Sequence, residues 1–259
     1  MSEAIWDRLK GERLAINLDL RELLISDSNH AVFRADYLDS TENVVEVMVQ
    51  LFVEDGRYPG ERVNRFLEAT YLDDPHILHY ITAGTVQSDE VNATYSVTER
   101  TDGLASRDIA DEEAQRFAQD VMSGLEYLHS RNLVYCVLSP DTVVPVGADW
   151  KLSDFSQLRV TGADTSDEAL SLSTTLDTSP PEAVEGLISP AWDIWAFGQT
   201  LRRVLTSDRA NLPDPFRAVV LACLNVNPSA RPTLTQLSGL LKTTWPTNRE
   251  YGKSNVARA

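Results

Sequence analysis

The side chains best suited to metal or thiol chemistry are few in this 259-residue chain and lie far apart. Cys136 and Cys223 are the only cysteines, and they provide neither a disulfide framework nor the short spacing of a metal site. The histidines also lack metal-ligand spacing; they are His30, His76, His79 and His129. The sequence therefore predicts no metal centre and no bound cofactor, and the cysteine usage indicates a reducing compartment such as the cytoplasm.

Charge limits the partners that such a chain can bind. The sequence has 23 Lys and Arg against 39 Asp and Glu, a formal net charge of −16, which repels nucleic acid and anionic lipid. Its N-terminus carries charges where a signal peptide needs an apolar run, and no stretch approaches the length of a membrane span. We therefore expect a cytoplasmic chain, or the cytosolic part of a longer membrane-linked one, whose partner is another protein.

Hydrophobic periodicity divides the chain into a strand-rich first part and a helix-rich second part, an α+β arrangement of two lobes. Strands are predicted at 20–25, 31–38, 44–53, 77–83 and 93–98, and helices at 61–72, 111–129, 191–205, 213–224 and 234–241. On the first of these helices, Val63, Phe66, Leu67 and Tyr71 are predicted to share a face. The predicted boundaries are an N-terminal extension at 1–19, a β-rich lobe at 20–100, a helical lobe at 101–241 and a polar tail at 242–259.

Five short motifs follow one another in a fixed order. They are 134–142 (VYCVLSPDT), 151–156 (KLSDFS), 180–182 (PPE), 193–198 (DIWAFG) and 227–232 (NPSARP). In this order they resemble the catalytic loop, the D-F-G turn, A-P-E, D-x-W-x-x-G and the final helical motif of a eukaryotic-type protein kinase. The resemblance covers about residues 20–241 and implies a bilobal kinase-like fold, with one main helix in the small β-rich lobe.

The same resemblance identifies replaced groups in the catalytic loop. A kinase needs a carboxylate beside the acceptor hydroxyl and an amide that binds the metal. The first position is Val137, which cannot accept a proton, and the second is Thr142, a much poorer ligand. Only Asp154 of the metal-binding turn is kept. The resemblance therefore implies a pseudokinase.

The lysine that holds the phosphates is also replaced. Aligning V-A-I-K with residues 47–50 places Gln50 at the lysine position. Its expected helical partner, Glu68, then has no cation to pair with and should turn to solvent. Met48 replaces the small alanine of the adenine pocket, so we expect that pocket to be narrowed.

The phosphate-covering loop lacks its three glycines. Their positions fall on Ile25, Asp27 and His30, whose side chains should block the approach of the backbone to phosphate. Asp27 would in addition repel an anion. Together with Met48 and Gln50, this loop argues against nucleotide binding.

Structural positions of the family are kept. Glu182 and Arg231 match the pair that ties the activation segment to the large lobe, and Asp193 matches the acceptor of backbone hydrogen bonds from the catalytic loop. A stack of side chains linking the lobes is predicted to contain Tyr80, Leu72, Phe155 and Tyr135. Only seven residues, 206–212, separate two predicted helices, so the usual substrate-docking helix is expected to be missing.

Three functions remain open at this point. The first is a non-catalytic scaffold that binds another protein, the second a weak atypical Ser/Thr kinase that uses Asp154 and a relocated lysine such as Lys151, and the third a nucleotide-binding sensor. Residues 161–179 are rich in Ser and Thr and are predicted to form an exposed loop. An active kinase could phosphorylate this loop and so create a site for a phosphopeptide-binding domain or for arginines of the chain itself.

Overall fold

The computed structural model of the chain describes residues 4–54, 60–87, 91–103, 109, 111–163, 178–184, 188–205 and 214–244. Contacts between residues divide the chain into two compact units. The first consists of Met1–Leu104 and Val144–Leu158, and the second of Ala105–Val143 and Arg159–Ala259. The predicted boundary near residue 100 lies close to an observed one, but residues 144–158 do not belong to the helical unit. The reason is that Leu152 exchanges backbone hydrogen bonds with residues 76–78 of the first unit.

A six-stranded antiparallel sheet forms the body of the first unit, in the order β1-β2-β3-β4-β6-β5. The strands are β1 Arg13–Ala15, β2 Leu18–Ser26, β3 His30–Leu38, β4 Val44–Val53, β5 Tyr80–Gln87 and β6 Asn92–Glu99, and the helices are α1 Ala4–Arg8 and α2 Glu61–Ala69. Alternation along the strands buries one face against an apolar core. The predicted strand at 44–53 is confirmed without change, and β5 lies three to four residues later than predicted.

The sequence predicts an N-terminal extension at residues 1–19, but these residues belong to the first unit. Trp6 is completely buried and packs in the same core cluster as Leu18 and Leu20 of β2. Its indole Nε1 donates a hydrogen bond to the carbonyl oxygen of Asp27 at 2.7 Å. Because one large aromatic side chain and strand β1 both join the sheet, the N-terminal residues are part of the first unit.

The predicted apolar face of α2 is confirmed at Phe66 and wrong at Leu67 and Tyr71. Phe66 and Ala69 are the buried residues of this helix, whereas Leu67 is 40% exposed and Tyr71 is 86% exposed. The helix is rotated so that the Phe66 ring packs inward, and this turns the next residue, about 100° further round, toward solvent. Tyr71 follows the C-cap residue Thr70 and lies beyond the helix end.

The second unit is mostly helical. Its helices are α3 Asp111–His129, α4 Pro190–Val204, α5 Asp214–Cys223 and α6 Leu234–Thr244, and its 3-10 turns are Pro140–Thr142, Pro181–Val184 and Pro228–Ala230. The prediction for α3 is confirmed without change, and α6 extends three residues into the predicted tail. The prediction of a missing helix at 206–212 lies outside the described residues, as do most of the loop 161–179 and the tail from residue 245. Within the described ranges, no helix is both long and apolar enough to cross a bilayer.

Candidate functional site

The hairpin between β2 and β3 carries two of the three expected glycine positions and closes on itself. The Asp27 carboxylate accepts hydrogen bonds from the N–H groups of Asn29 and His30 at 2.7 and 2.8 Å. The N–H of Asp27 in turn donates to the carbonyl of His30 at 2.9 Å. Backbone N–H groups in such a turn are natural anion donors, and here a carboxylate of the chain already occupies them. The third position, Ile25, is about half exposed.

A continuous row of rings runs from this hairpin through the first unit. His30 lies 4.6 Å from Phe52 between ring centroids, and Phe52 lies 5.6 Å from Phe66. Phe66 stacks on Tyr80 at 5.7 Å, and Tyr80 meets Phe155 edge-on at 5.5 Å. Each separation falls in the range of favourable aromatic pairs. The row therefore joins β3, β4, α2 and β5 to the D-F-G-like turn at residues 154–156.

Two members of the predicted stack of side chains, Tyr80 and Phe155, are in contact in this row. Helix α2 contributes Phe66 to the row. Leu72, which lies after the helix, and Tyr135, in the second unit, are both buried. The sequence reasoning missed Phe52, although its period-two spacing from Gln50 could have placed both on one face of β4.

The cation nearest this row comes from α2. The guanidinium of Arg62 lies 5.0 Å from the Phe52 ring centroid, and its Nη1 is 3.5 Å from Oε1 of Glu54. Thr94 donates a hydrogen bond of 2.6 Å to the same Glu54 oxygen. Glu68, which was expected to turn to solvent because it has no lysine to pair with, is exposed. The α2 residue directed at strand β4 is thus an arginine, already engaged with Glu54 and Phe52.

The environment of His30 disfavours its charged form. Burial lowers the pKa of its imidazole, and the nearby Arg62 cation acts in the same direction. The carboxylates of Asp154 and Asp27 partly oppose this effect, which places both charges close to the ring.

Strand β4 carries the position expected for the phosphate-binding lysine. Gln50 is half-buried and pairs with Val32 of β3 and Ser96 of β6. Met48 precedes it by two residues on the same face and is 5% exposed. Gln50 and Met48 therefore lie on one face of β4, and that face offers a neutral amide and a thioether.

The turn at residues 153–156 is held by bonds to its neighbours. Asp154 accepts a hydrogen bond from the N–H of Ser156 at 2.8 Å. Tyr80 donates through its hydroxyl to the carbonyl of Ser153 at 2.5 Å. Arg65 of α2 donates to the carbonyl of Ser156 at 2.9 Å. Helix α2 and strand β5 thus both hold this turn by hydrogen bonds.

Lys151, which had been considered as a relocated phosphate-binding lysine, is engaged elsewhere. Its Nζ lies 2.7 Å from Oε1 of Glu99, and its side chain is largely buried. The same Glu99 oxygen accepts a hydrogen bond from the N–H of His79 at 2.8 Å. Moving Lys151 toward a phosphate would break a partly buried ion pair and leave Glu99 without its cation, which costs free energy.

In the second unit, the loop that resembles the catalytic loop is also closed. Oγ1 of Thr142 accepts a hydrogen bond from the N–H of Ser139 at 3.0 Å and lies 3.1 Å from the carbonyl oxygens of Val137 and Ser139. Tyr135 donates through its hydroxyl to the carbonyl of Thr142 at 3.1 Å. The side chain of Val137 is buried. The hydroxyl at the expected metal-ligand position therefore bonds to the loop backbone.

Asp193 anchors this loop from α4. Its carboxylate accepts hydrogen bonds from the N–H groups of Tyr135 and Cys136 at 2.8 and 2.9 Å and lies 2.8 Å from Nε2 of His129. Asp193 is completely buried. The two bonds hold Cys136 at φ 68, a left-handed conformation that a non-glycine residue adopts only when its surroundings enforce it.

Arg231 forms the second anchor. Its Nη1 and Nη2 bind Oε1 and Oε2 of Glu182 at 2.5 and 2.7 Å, a bidentate pair. Further bonds reach the carbonyls of Ala191 at 2.8 Å and Asn225 at 2.9 Å, and the guanidinium lies 5.0 Å from the Trp195 ring. The structure thus brings together the two residues that the motifs paired.

Comparison with known proteins agrees with this architecture. A model of the protein kinase domain matches residues 67–211, more than half of the chain. The chain belongs to the protein kinase family. It is 27% identical over 168 residues to tyrosine-protein kinase FRK of Homo sapiens, covering 53% of this chain and 33% of that kinase.

Two further relatives are a serine/threonine-protein kinase and a mitogen-activated protein kinase kinase kinase. The human SBK2 is 38% identical over 102 residues, covering 35% of this chain and 28% of that kinase. Mitogen-activated protein kinase kinase kinase 9 of Arabidopsis thaliana is 27% identical over 158 residues, covering 50% of this chain and 20% of that kinase. The chain spans a third or less of the length of these curated relatives.

Proposed function

We propose that this kinase-family domain is a pseudokinase, which acts by binding another protein and does not transfer phosphate. The observation that carries the proposal is common to the hairpin and the catalytic-like loop. In both segments, which in a kinase present chemical groups to the substrates, a side chain accepts hydrogen bonds from the backbone of its own loop. The Asp27 carboxylate accepts from two hairpin N–H groups. The Thr142 hydroxyl accepts from the N–H of Ser139.

The chemical argument concerns the transition state. Phosphoryl transfer depends on positioning and on neutralisation of charge, and the loss of one such group commonly costs about 10²–10³ in rate. Val137 replaces the proton acceptor, and Gln50 replaces the phosphate-binding cation. Because both replacements act on the same step, we expect transfer below detection.

The residues present fit a magnesium–nucleotide complex poorly. The Asp27 carboxylate occupies the hairpin amides that would face phosphate, and it would repel an anion. Arg62 and Lys151 are cations of this unit, but they are paired with Glu54 and Glu99. Among the described residues, no group of three His, Cys, Asp or Glu side chains is placed to hold a metal ion. These observations favour a binding module over a nucleotide sensor.

If residues within 161–179 are phosphorylated, we propose that a separate protein domain binds them. In H-R-D of active kinases, the arginine can pair with a phosphorylated activation loop, and Cys136 stands at that position here. A phosphate added within 161–179 would therefore favour a separate phosphopeptide-binding domain as partner. With two free cysteines and a net charge of −16, the protein is proposed to act in the cytoplasm.

Two measurements test this function. Incorporation of labelled phosphate, into the chain itself and into generic substrates, should not exceed that of an Asp154→Ala control. Excess incorporation would refute the proposal. In a thermal-shift titration, ATP with Mg²⁺ should leave the melting temperature unchanged, whereas a ligand at 100 times its Kd stabilises by about 2.7 kcal/mol. A magnesium-dependent rise without phosphate transfer would instead support a nucleotide sensor.

A further inference from the structure

A groove in the second unit lies between the C-terminal end of α3, the start of α4 and the segment 228–234. Its volume is about 490 Å³, which falls within the range of clefts that bind drug-sized ligands. We call this cavity the α3–α4 groove. The apolar part of its wall is made of three prolines and three aliphatic side chains: Pro190, Ala191, Ile194, Pro228, Pro232 and Leu234.

Hydrogen bonds tie the walls of the α3–α4 groove to one another. Asp193 of α4 lies 2.8 Å from Nε2 of His129, the last residue of α3. Arg231 donates to the carbonyl of Ala191 at 2.8 Å and to that of Asn225 at 2.9 Å. Proline rings have no rotamer freedom to lose, and the backbone around them is already fixed by these bonds. A ligand that binds here therefore orders little of the protein, which favours its affinity.

The free charge of the α3–α4 groove is negative. Glu126 lines the groove and is exposed, and within the described part of the chain its carboxylate forms no ion pair. The positive charge of Arg231 is neutralised by Glu182 in a bidentate pair. Arg131 does not line the groove, and its guanidinium lies 3.7 Å from the Tyr127 ring centroid. A cationic ligand group would thus find a carboxylate to pair with.

The helix ends at the groove agree with this sign. Glu126 and His129 lie in the last turn of α3, where the helix dipole favours a cation. Helix α4 begins at the groove and would favour an anion there, but Asp193 in its first turn already supplies one. Because His129 shares the Asp193 carboxylate, the two together carry no net positive charge in either protonation state of the imidazole.

We propose that the α3–α4 groove is a docking site for a short segment of another protein, in which apolar side chains flank a Lys or Arg. The apolar side chains pack against the proline rings and Ile194, and the cation pairs with Glu126. The formal net charge of −16 favours such a basic segment at long range. The inference rests on the proposed function, because it names where the protein partner binds.

The probe is a pair of short fluorescein-labelled peptides with the same leucines, one with Lys between them and the other with Glu. Fluorescence anisotropy with the full chain at low salt should show that the Lys peptide binds about fivefold tighter than the Glu peptide. High salt should remove this preference, because exposed charges are screened.

Glu126→Lys should reverse the preference between the two peptides, because each attraction then becomes a repulsion. Glu113→Lys is the matched control, since Glu113 is an exposed glutamate of the same helix and lies about 20 Å away along its axis. The control adds the same charge and should leave the preference for the Lys peptide unchanged.

Ala191→Phe tests the apolar part of the groove. Ala191 is half-buried and lines the cavity, so the larger ring should occupy the space that a leucine of the peptide needs. Both peptides should then bind about tenfold more weakly, while the melting temperature stays unchanged. Unchanged affinity of this variant would overturn the proposal.

Equal affinity of the two peptides, binding of neither, or the same effect of Glu113→Lys as of Glu126→Lys would also overturn it. Two results would do so by revealing another occupant. A dimer in light scattering that Ala191→Phe abolishes would mean a second copy, and tighter binding of the Lys peptide after removal of residues 245–259 would mean the chain's own tail. None of these outcomes alters the phosphate-transfer and ATP measurements, so this inference and the proposed function fail separately.

Discussion

In each of two regions of the molecule, the carboxylate of one aspartate accepts hydrogen bonds from two neighbouring backbone N–H groups, but one aspartate is exposed and the other is buried. Asp27 accepts hydrogen bonds from the N–H groups of residues 29 and 30 in the exposed hairpin of the first unit. Asp193 accepts them from residues 135 and 136 in the second unit, where it is completely buried. The exposed aspartate stands where a kinase needs a glycine, and the buried one matches a structural position of the family.

On the proposed function, this comparison separates positions that a kinase-family chain can lose at little cost to folding from positions that it cannot. Val137 packs in the interior without a charge, so the proposed replacement of a catalytic carboxylate would leave no charge buried. Replacing a partner of Arg231 or a donor to Asp193 would leave a buried ionic or polar group unpaired. We propose that Glu182, Arg231 and Asp193 hold the fold, whereas the positions interpreted as replaced served chemistry.

Among the buried groups of the second unit, we expect the largest loss of unfolding free energy when Arg231 is replaced. Arg231→Ala removes one partner of a bidentate pair whose arginine side chain is 1% exposed, and leaving Glu182 uncompensated costs about 3–5 kcal/mol. Urea denaturation measures the loss of unfolding free energy.

Asp154→Asn is the control for Arg231→Ala, because both positions matter to an active kinase. Here Asp154→Asn should change stability by less than about 1 kcal/mol, since an amide oxygen can still accept the hydrogen bond from Ser156. If Asp154→Asn is the more damaging change, or abolishes partner binding, a remnant of the metal site is still in use and the comparison fails.

The next largest difference in stability is expected between substitutions of the two aspartates, Asp193 and Asp27. Asp193→Asn replaces one oxygen by a donor beside buried N–H groups, and we expect a loss of about 1.5–3 kcal/mol. Asp27→Asn keeps an acceptor at Oδ1 in an exposed turn, so its change should stay within about 0.5 kcal/mol. Chemical denaturation of both variants under one set of conditions compares them; equal losses would show that burial does not separate the two regions.

Sequence reasoning succeeded where the signal was periodic and local. Strand β4 is rich in β-branched and apolar residues, and α3 has both an apolar stripe and a candidate N-cap, so both were predicted with their observed bounds. Periodicity could not fix the rotation of α2, because Phe66 and Leu67 are adjacent apolar residues and only tertiary packing chooses between them. Trp6 was missed because a single aromatic residue outside a periodic segment carries no pattern.

The sequence was sufficient to assign residues to positions in the candidate site, but it did not predict which of their side chains are in contact. The motifs assigned Val137 and Thr142 to one loop and Asp193 to a backbone acceptor for it, and these contacts are present in the structure. The row of rings joins residues far apart in sequence, and no local rule pairs them. Asp27 was predicted to repel phosphate, whereas its main role in the structure is to cap the hairpin, as Asp side chains often do with N–H groups two or three residues on.

The smallest effect concerns His30, at the hairpin end of the row of rings. Burial lowers the pKa of His30 below its ordinary value of about 6.5, so the unfolded chain binds its proton more tightly than the folded one. The stability linked to this group is therefore fully present above about pH 6.5 and is lost as the pH falls through the lower folded value.

His30→Phe keeps a ring for the contact with Phe52 but removes the titration. The variant should lose less stability than the parent chain as the pH falls from about 7 to about 5, while the two respond alike at higher pH. Because Asp154 and Asp27 partly counter the effect of burial, we expect a shallow difference in slope. Unfolding free energies from urea denaturation at several pH values give both slopes. Identical slopes would mean that the imidazole is hydrated in the folded chain, and the hairpin would then be more open than its hydrogen bonds indicate.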